Sequence, residues 1–374
     1  MSGSPHAFSI NNILASVNRP YSCELIQPSQ LDSAKIAYST RRVPQASMVT
    51  LLSGDITPCA GDVILAEVQC IGQHQRIELV SGRRAPLFHG DLVVVCYGNR
   101  YAPDQFESIV PENLDTCHLV AGGGIASQTL SRSSRVKAAT EIKPLGLMGD
   151  SLGHRLNLAD WALPLNPNQT ARPFTIAVVG TAMNAGKTTT AAHLIKGLIR
   201  AGMNVGAAKI TGTGSGRDAW LMLDAGAKPV VDFTDAGFAS TYLTTTTEIE
   251  NIAARLTNHL HDSGVNAVVL EIADGLLQRE TADLLLSPNF QASIDGILFA
   301  AGDALGAVGG VNWLQQHELP VLAVSGALSA SPLASREAAK ATGLPTLGLA
   351  QLSAADIHDV LMERLGNRLM NRNT

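Results

Sequence analysis

The sequence has 374 residues, a formal charge of −5 and 45% hydrophobic content, which favours two domains with sizeable cores. The mildly acidic balance leaves no basic footprint for nucleic acid. No uninterrupted apolar run reaches the roughly 18 residues of a membrane-spanning helix.

In chain order, the opening "MSGSPHAFSINNI" lacks a basic stretch followed by an apolar core. It is therefore read as no secretory signal, and a cytoplasmic location is expected. The five cysteines, Cys23, Cys59, Cys70, Cys96 and Cys117, are odd in number and without C-x-x-C spacing. They read as reduced thiols buried in a core rather than as a disulfide framework.

From about 48 to 100 the chain reads as β. "ASMVTLL", "GDVILAEVQCI", "QRIELV" and "GDLVVVCYG" are short Val-, Ile- and Leu-rich runs separated by Gly-Asp and Gly-Arg turns, the pattern of a small barrel or sandwich. Two loop-rich stretches follow. "YGNRYAPDQFE" gathers Asn99, Arg100, Tyr101, Asp104 and Glu107, either to recognise a substrate or simply to pack. "CHLVAGGGIAS" is glycine-rich without a helix after it. His118 and His154 show no metal-ligand spacing, and no G-x-S-x-G elbow is present. Pro164, Pro167 and Pro173 punctuate the candidate linker.

After Phe174 apolar strand runs alternate with helical ones. "TIAVVG", "NVGAAKI", "NAVVLEI", "GILFAAG" and "PVLAVSG" read as strands buried on both faces, with helices to about Ala201, around Ala219–Ala225 and from about Thr247 to Ser263. That alternation implies a mostly parallel sheet whose ligands sit at the carboxyl ends of its strands. The expected fold is α/β: a smaller β-rich domain over 1–163, a linker over 164–173, and a P-loop ATP-binding domain over 174–374.

The P-loop reading rests on "VVGTAMNAGKTTTAAHLIKGL". A tight loop between a strand and a helix aims backbone N–H groups at phosphate oxygens. The cofactor-binding set is Gly180, Thr181, Asn184, Ala185, Gly186, Lys187, Thr188 and Thr189. Lys187 would reach the β- and γ-phosphates, and the Thr188 hydroxyl would ligate Mg2+. Five residues, rather than the usual four, separate the two glycines. A bridging magnesium needs hard oxygens, and Thr188, Asp218 and Glu271 each follow a predicted strand. Lys209 lies at the same edge, where a second cation stabilises charge on a transferring phosphoryl group. Each carboxylate is also readable as a solvated acid or a helix cap. Asp232 and Asp235 are weaker candidates for a substrate amine or second metal, and Arg279, beside Glu280, for a substrate carboxylate.

"GTAMNAGKTT" resembles the phosphate loop of dethiobiotin synthetase and its relatives. Ala182 stands where partition and cell-division ATPases carry a second lysine, and where the synthetase usually has an acid. "AKITGTGSGRDAW", "VVLEIADG" and "GDALGAVGGVNWL" resemble later segments of that family. The resemblance implies a substrate-contacting role for Lys209 and Thr213, metal roles for Asp218 and Glu271, and a register match at Leu305 and Gly306. Together with Lys187, it implies a catalytic set of Lys187, Lys209 and Thr213. It further implies an ATP- and Mg2+-dependent ligase that activates a small-molecule carboxylate or carbamate, and a homodimer. A small-molecule kinase and a partner-regulated P-loop NTPase switch are the alternatives.

Overall fold

The computed structural model describes residues 21–166 and 172–372, with side chains described through Gly366. The N-terminal stretch read for a signal, and residues 167–171 of the expected linker, lie outside the described residues. The chain forms two compact units. The first takes the chain to Ala162 together with Thr213–Gly216 and Thr234–Tyr242; the second takes Leu163–Gly212, Arg217–Phe233 and the chain from Leu243 onward.

In the first unit the strands are β1 (Ser22–Leu25), β2 (Lys35–Ile36), β3 (Thr50–Ser53), β4 (Val63–Cys70), β5 (Arg76–Glu78) and β6 (Arg84–Pro86). They continue with β7 (Leu92–Tyr97), β8 (Arg100–Tyr101), β9 (Phe106–Ile109), β10 (Cys117–Ala121), β11 (Ile125–Arg132) and β12 (Thr140–Gly149), and a short helix, α1 (Pro28–Ser33), precedes β2. Antiparallel pairs β12–β4, β4–β7, β11–β10 and β10–β12, with the parallel pair β7–β11, return to their starting strand. Alternation along these strands explains the two cores. Ile64, Ala66 and Val68 of β4 join Val93, Val95 and Tyr97 of β7 in one cluster. Val63 and Leu65 join Val94 and Cys96 in the other. With period two, both faces are apolar and both are covered.

The loop-rich stretches carry more structure than their composition suggests. The glycines of "AGGGI" bring backbones together: a Cβ on Gly123 would lie 2.2 Å from the Gly214 carbonyl oxygen, and Ser39 N–H bonds the Gly123 carbonyl at 2.9 Å. The polar residues around β8 and β9 pair locally. Asn99 accepts from Val110 N–H at 2.9 Å, Arg100 donates to Gln105 at 2.9 Å, and Glu107 accepts from Ser131 at 2.9 Å and from the Tyr242 hydroxyl at 3.4 Å. Cys96 and Cys117 are buried as expected, whereas Cys59 and Cys70 are exposed. Cys70 ends β4, where the strand leaves its core.

The second unit contains β13 (Phe174–Gly180), α2 (Lys187–Arg200), β14 (Val205–Lys209), α3 (Arg217–Ala225), β15 (Val230–Asp232) and α4 (Thr246–Asp262). It continues with β16 (Ala267–Glu271), α5 (Arg279–Leu286), α6 (Pro288–Ser293), β17 (Gly296–Ala300), α7 (Ala304–Gln316), β18 (Val321–Ser325), α8 (Pro332–Thr342), α9 (Leu349–Leu352) and α10 (Ile357–Arg372). Its six strands run parallel in the order β15-β14-β16-β13-β17-β18. All five residues of β14, β16, β17 and β18 are buried, as a sheet covered on both faces requires.

Helix α2 follows from its spacing: Ala191, Leu194, Ile195 and Leu198 form one stripe packed on Ile176, Val178, Ala207 and Val269. Each such aliphatic side chain stabilises the fold by about 1.5–3 kcal/mol on burial. Helix α4 starts at a capping box in which Thr245 and Glu248 satisfy each other's backbone N–H groups. Among the described residues no helix is long and apolar enough to cross a membrane.

Candidate nucleotide site

Strand β13 hands the chain to α2 through residues 181–186, and the glycines at its ends have steric reasons. A Cβ on Gly180 would lie 2.7 Å from the Ala300 carbonyl oxygen and 2.9 Å from Cγ of Lys187. Gly186 caps α2 at φ 95°, and a Cβ there would lie 2.9 Å from Ala327 N. Asn184 also has a positive φ, 63°. The longer loop is braced from two neighbouring strand ends. Thr181 N–H bonds the Ala300 carbonyl at 3.0 Å, and Ala327 N–H bonds the Ala185 carbonyl at 2.9 Å. The first helical bond runs from Thr190 N–H to the Gly186 carbonyl at 2.9 Å. No side chain caps this helix, so the amides of Lys187, Thr188 and Thr189 lead into the loop as an anion site.

Lys187 is 6% exposed. Its ammonium donates to the Ala182 carbonyl at 2.7 Å and to the Asp274 carbonyl. Burial lowers its pKa, with the Lys209 charge acting the same way, while Glu271 and Asp274 oppose the shift. The Thr188 hydroxyl donates to Oε1 of Glu271 at 2.8 Å. Glu271 ends β16 at 1% exposure, and its Oε2 is buried with no hydrogen-bond partner. Burial raises the pKa of this carboxyl, Asp218 adds to the rise, and Lys209, Lys187 and Thr188 pull against it.

Lys209, at the end of β14, is in register with Glu271 on one side and Asp232 on the other. Its ammonium is ion-paired with Asp218 in the first turn of α3. Burial alone would lower the Lys209 pKa, but Asp218 and then Glu271 outweigh it and raise it above the ordinary lysine value.

The structure thus brings Lys187, Thr188, Lys209, Asp218 and Glu271 to one edge of the parallel sheet. Thr189 is exposed on the first turn of α2. Thr213 belongs to the first compact unit, where its backbone bridges Ser240. Asp235, in the same unit, is ion-paired with Arg41 at 2.5 Å and lies 3.6 Å from Arg42. Arg279 bonds Glu280 at 2.7 Å and the Thr244 carbonyl at 3.1 Å. Leu305 is 81% exposed, and Gly306 N–H bonds Asp303, the cap of α7, at 2.7 Å.

Sequence reasoning marked "VVLEIADG" for its glutamate but missed the contact that the segment after β16 makes. A Cβ on Gly275 would lie 2.3 Å from the Thr181 carbonyl oxygen, so this segment runs against the phosphate loop. The Ala273 carbonyl accepts the hydroxyls of Thr211 and Thr281, the latter at 2.6 Å. The Asp-Gly pair after Glu271 was the available signal.

A bound magnesium fits this edge, because a buried bare oxygen of Glu271 adjoins the Thr188 hydroxyl and both are hard donors. Among the described residues no group of three or more His, Cys, Asp or Glu side chains could hold a metal. A cation here would take its remaining ligands from phosphate and water.

Fold and site together define a mixed α/β protein with a P-loop strand-loop-helix in a parallel sheet. No protein-family model matches the sequence, and no curated protein does. Similar solved structures include the signal recognition particle 54 kDa protein of Aeropyrum pernix K1 in complex with GDP, at 19% identity and TM-score 0.35, covering 54% of this chain and 50% of that one. They also include the signal recognition particle receptor FtsY of Elizabethkingia anophelis in complex with GDP, at 16% identity and TM-score 0.36, covering 50% of this chain and 60% of that one. Chloroplast FtsY of Physcomitrella patens matches at 12% identity and TM-score 0.36, covering 56% of this chain and 70% of that one. The chain spans half to three-fifths of the first two neighbours, and a likeness of this size carries no activity across.

These neighbours are signal-recognition-particle proteins and not dethiobiotin synthetase, which corrects the resemblance drawn from the sequence. The reason is physical: the loop residues encode a phosphate cradle, which many reactions share. The ligase reaction, its small-molecule substrate and the choice of ATP rested on that resemblance and are withdrawn with it.

Proposed function

We propose that the second unit binds a magnesium–nucleoside triphosphate, hydrolyses it, and acts as a switch read by a partner protein. The first unit is then the adaptor for that partner. The observation that carries this reading is the position of the Lys187 ammonium. It is shared between the Ala182 carbonyl, inside the phosphate loop, and the Asp274 carbonyl, in the segment after β16.

Phosphate oxygens are stronger acceptors for an ammonium than neutral carbonyls. A triphosphate on the loop amides therefore draws Lys187 toward itself, and the Asp274 carbonyl loses its donor. The segment from Ala273 to Glu280 feels that loss directly. Its other ties include the Thr211 and Thr281 hydroxyls at Ala273, and Glu280, which accepts Leu243 N–H at 2.8 Å. Nucleotide state is thereby written into a second piece of backbone.

Magnesium, when bound, would neutralise charge on the phosphate oxygens. Thr188 and Glu271 would hold it. Lys209 supplies a second positive charge at the same edge, and the α2 amides fix the phosphates.

The test is calorimetric titration of the full chain with Mg-ATP and Mg-GTP, followed by hydrogen exchange over residues 273–280. Uptake of at least one nucleotide, with changed exchange in that segment, is the expected result. No uptake of either by folded protein refutes the site. Uptake with unchanged exchange refutes the switch.

A further inference from the structure

Lys209 is a buried lysine held on two sides. Its stem runs against Gly212, where an added Cβ would lie 2.9 Å from Cε and 3.5 Å from Nζ. Its ammonium is taken by Oδ2 of Asp218. Side-chain exposure is 11% for Lys209 and 23% for Asp218. Thr188 and Arg217 also act on Asp218, and the Glu271 and Lys187 charges are within reach of it. Burial works against its charge, and Lys209 first, then Thr188 and Arg217, keep its pKa below the usual carboxylate range.

Resting on the nucleotide-site reading, we propose that Asp218 is a positioning residue that acts through Lys209, and that Thr188 and Glu271 hold the cation without it. The two carboxylates differ in what they have left to offer. Asp218 is already neutralised by an ammonium, and a dication at the same oxygen would have to displace Lys209 or stand beside its charge. Glu271 keeps Oε2 buried and without a hydrogen bond, the state of a ligand awaiting a cation.

A lysine has four rotatable bonds and a single-point charge, so it stabilises a reacting phosphoryl group only when something fixes its direction. Gly212 closes one side and Asp218 fixes the tip. Asp218 sits on α3, nine positions further along the chain than Lys209, so it sets the lysine from a separate helix. On this reading the spacing Lys209…Asp218 encodes a preorganised cation and not a metal site.

Two measurements on the full chain test this. In protein free of metal and nucleotide, the rate of Lys209 acylation by a small anhydride at pH 9, read by peptide mass spectrometry, should rise at least tenfold in Asp218→Asn and by a smaller factor in Glu271→Gln, whose charge acts on the lysine without holding its tip. In the presence of nucleotide, Asp218→Asn should lower kcat ten- to a hundredfold with the Mg2+ midpoint within twofold of wild type. Glu271→Gln should raise that midpoint tenfold or more. Lys209→Ala combined with Asp218→Asn should be no slower than Lys209→Ala alone, since both remove one device. A raised Mg2+ midpoint in Asp218→Asn, or unchanged Lys209 acylation, overturns the proposal while leaving the nucleotide site standing. Absence of nucleotide uptake by the wild type removes the nucleotide site and this proposal together.

Discussion

Gly275→Ala isolates the contact between the phosphate loop and the segment after β16. The added methyl would lie 2.3 Å from the Thr181 carbonyl oxygen, 2.8 Å from its carbon and 2.9 Å from Cα of Ala182. All three are backbone atoms, so no side-chain rotation relieves the clash, and the two segments must part by about an ångström. Gly275 is not in the left-handed region, so no dihedral strain complicates the result. Overpacking of this kind costs about 1–3 kcal/mol of stability. The same displacement misaligns loop amides that would donate to phosphate. Losing one charge-assisted bond, about 1.5–3 kcal/mol, corresponds to roughly 10- to 150-fold weaker binding. Urea unfolding measures the first quantity and calorimetric titration with Mg-nucleotide the second. Gly302→Ala is the control, since a Cβ there meets nothing within 4 Å and surface changes stay within about 0.5 kcal/mol. If Gly275→Ala unfolds and binds like wild type, the phosphate loop is not set by this contact.

Lys187→Ala should weaken Mg-nucleotide binding about 100-fold or more by removing the ammonium over the phosphates; wild-type affinity in a calorimetric titration of folded variant would move the site elsewhere. Phe299→Ala should lose about 3–5 kcal/mol in urea unfolding, because the ring is fully buried against Gly310, where an added Cβ would lie 1.9 Å from Cζ; a loss under 1 kcal/mol would contradict that packing. In the first unit, burial, then Arg100 and, less strongly, Arg84, lower the His74 pKa to about 4, from 6.5. The unfolded chain therefore binds more protons between those values, and stability should fall as pH drops from about 6.5 to about 4, by at most about 3 kcal/mol. Unfolding free energies at pH 7 and pH 4.5 should differ less in His74→Gln than in wild type, and equal pH dependence would reject the buried neutral imidazole.

The parallel unit was legible because its strands are buried on both faces. "AVVLE" and "GILFA" are continuous apolar runs, and the glutamate that closes the first marks the sheet edge. Strand β12 was not legible. Its sequence, "TEIKPLGLMG", places charged residues and a proline within the strand. The fold accommodates these with register shifts around Pro144 against β4, since a proline has no N–H to donate. The hairpin of β10 and β11 was hidden by its three glycines, which read as a loop. Their purpose is backbone approach, which composition does not reveal.

The candidate site divides along the same line. Residues contiguous in sequence, from Gly180 to Thr189, announce themselves, because one loop makes one anion cradle. The acid at 271 was also marked as a candidate, since a polar residue at the end of a buried strand stands out in the sequence. What the sequence concealed is which charges pair. Lys209 and Asp218 lie nine positions apart across a glycine-rich stretch, and a reading by spacing sends both toward the phosphate. In the structure the carboxylate meets the lysine first. A buried ammonium facing Glu271 alone would lack the partner that holds its tip. With Asp218 attached it is fixed, and Glu271 is left with an oxygen that has no hydrogen-bond partner among the described residues. Charge pairing within the chain thus decides which acid remains open to a cation, and that choice depends on distances across three elements that no local pattern carries.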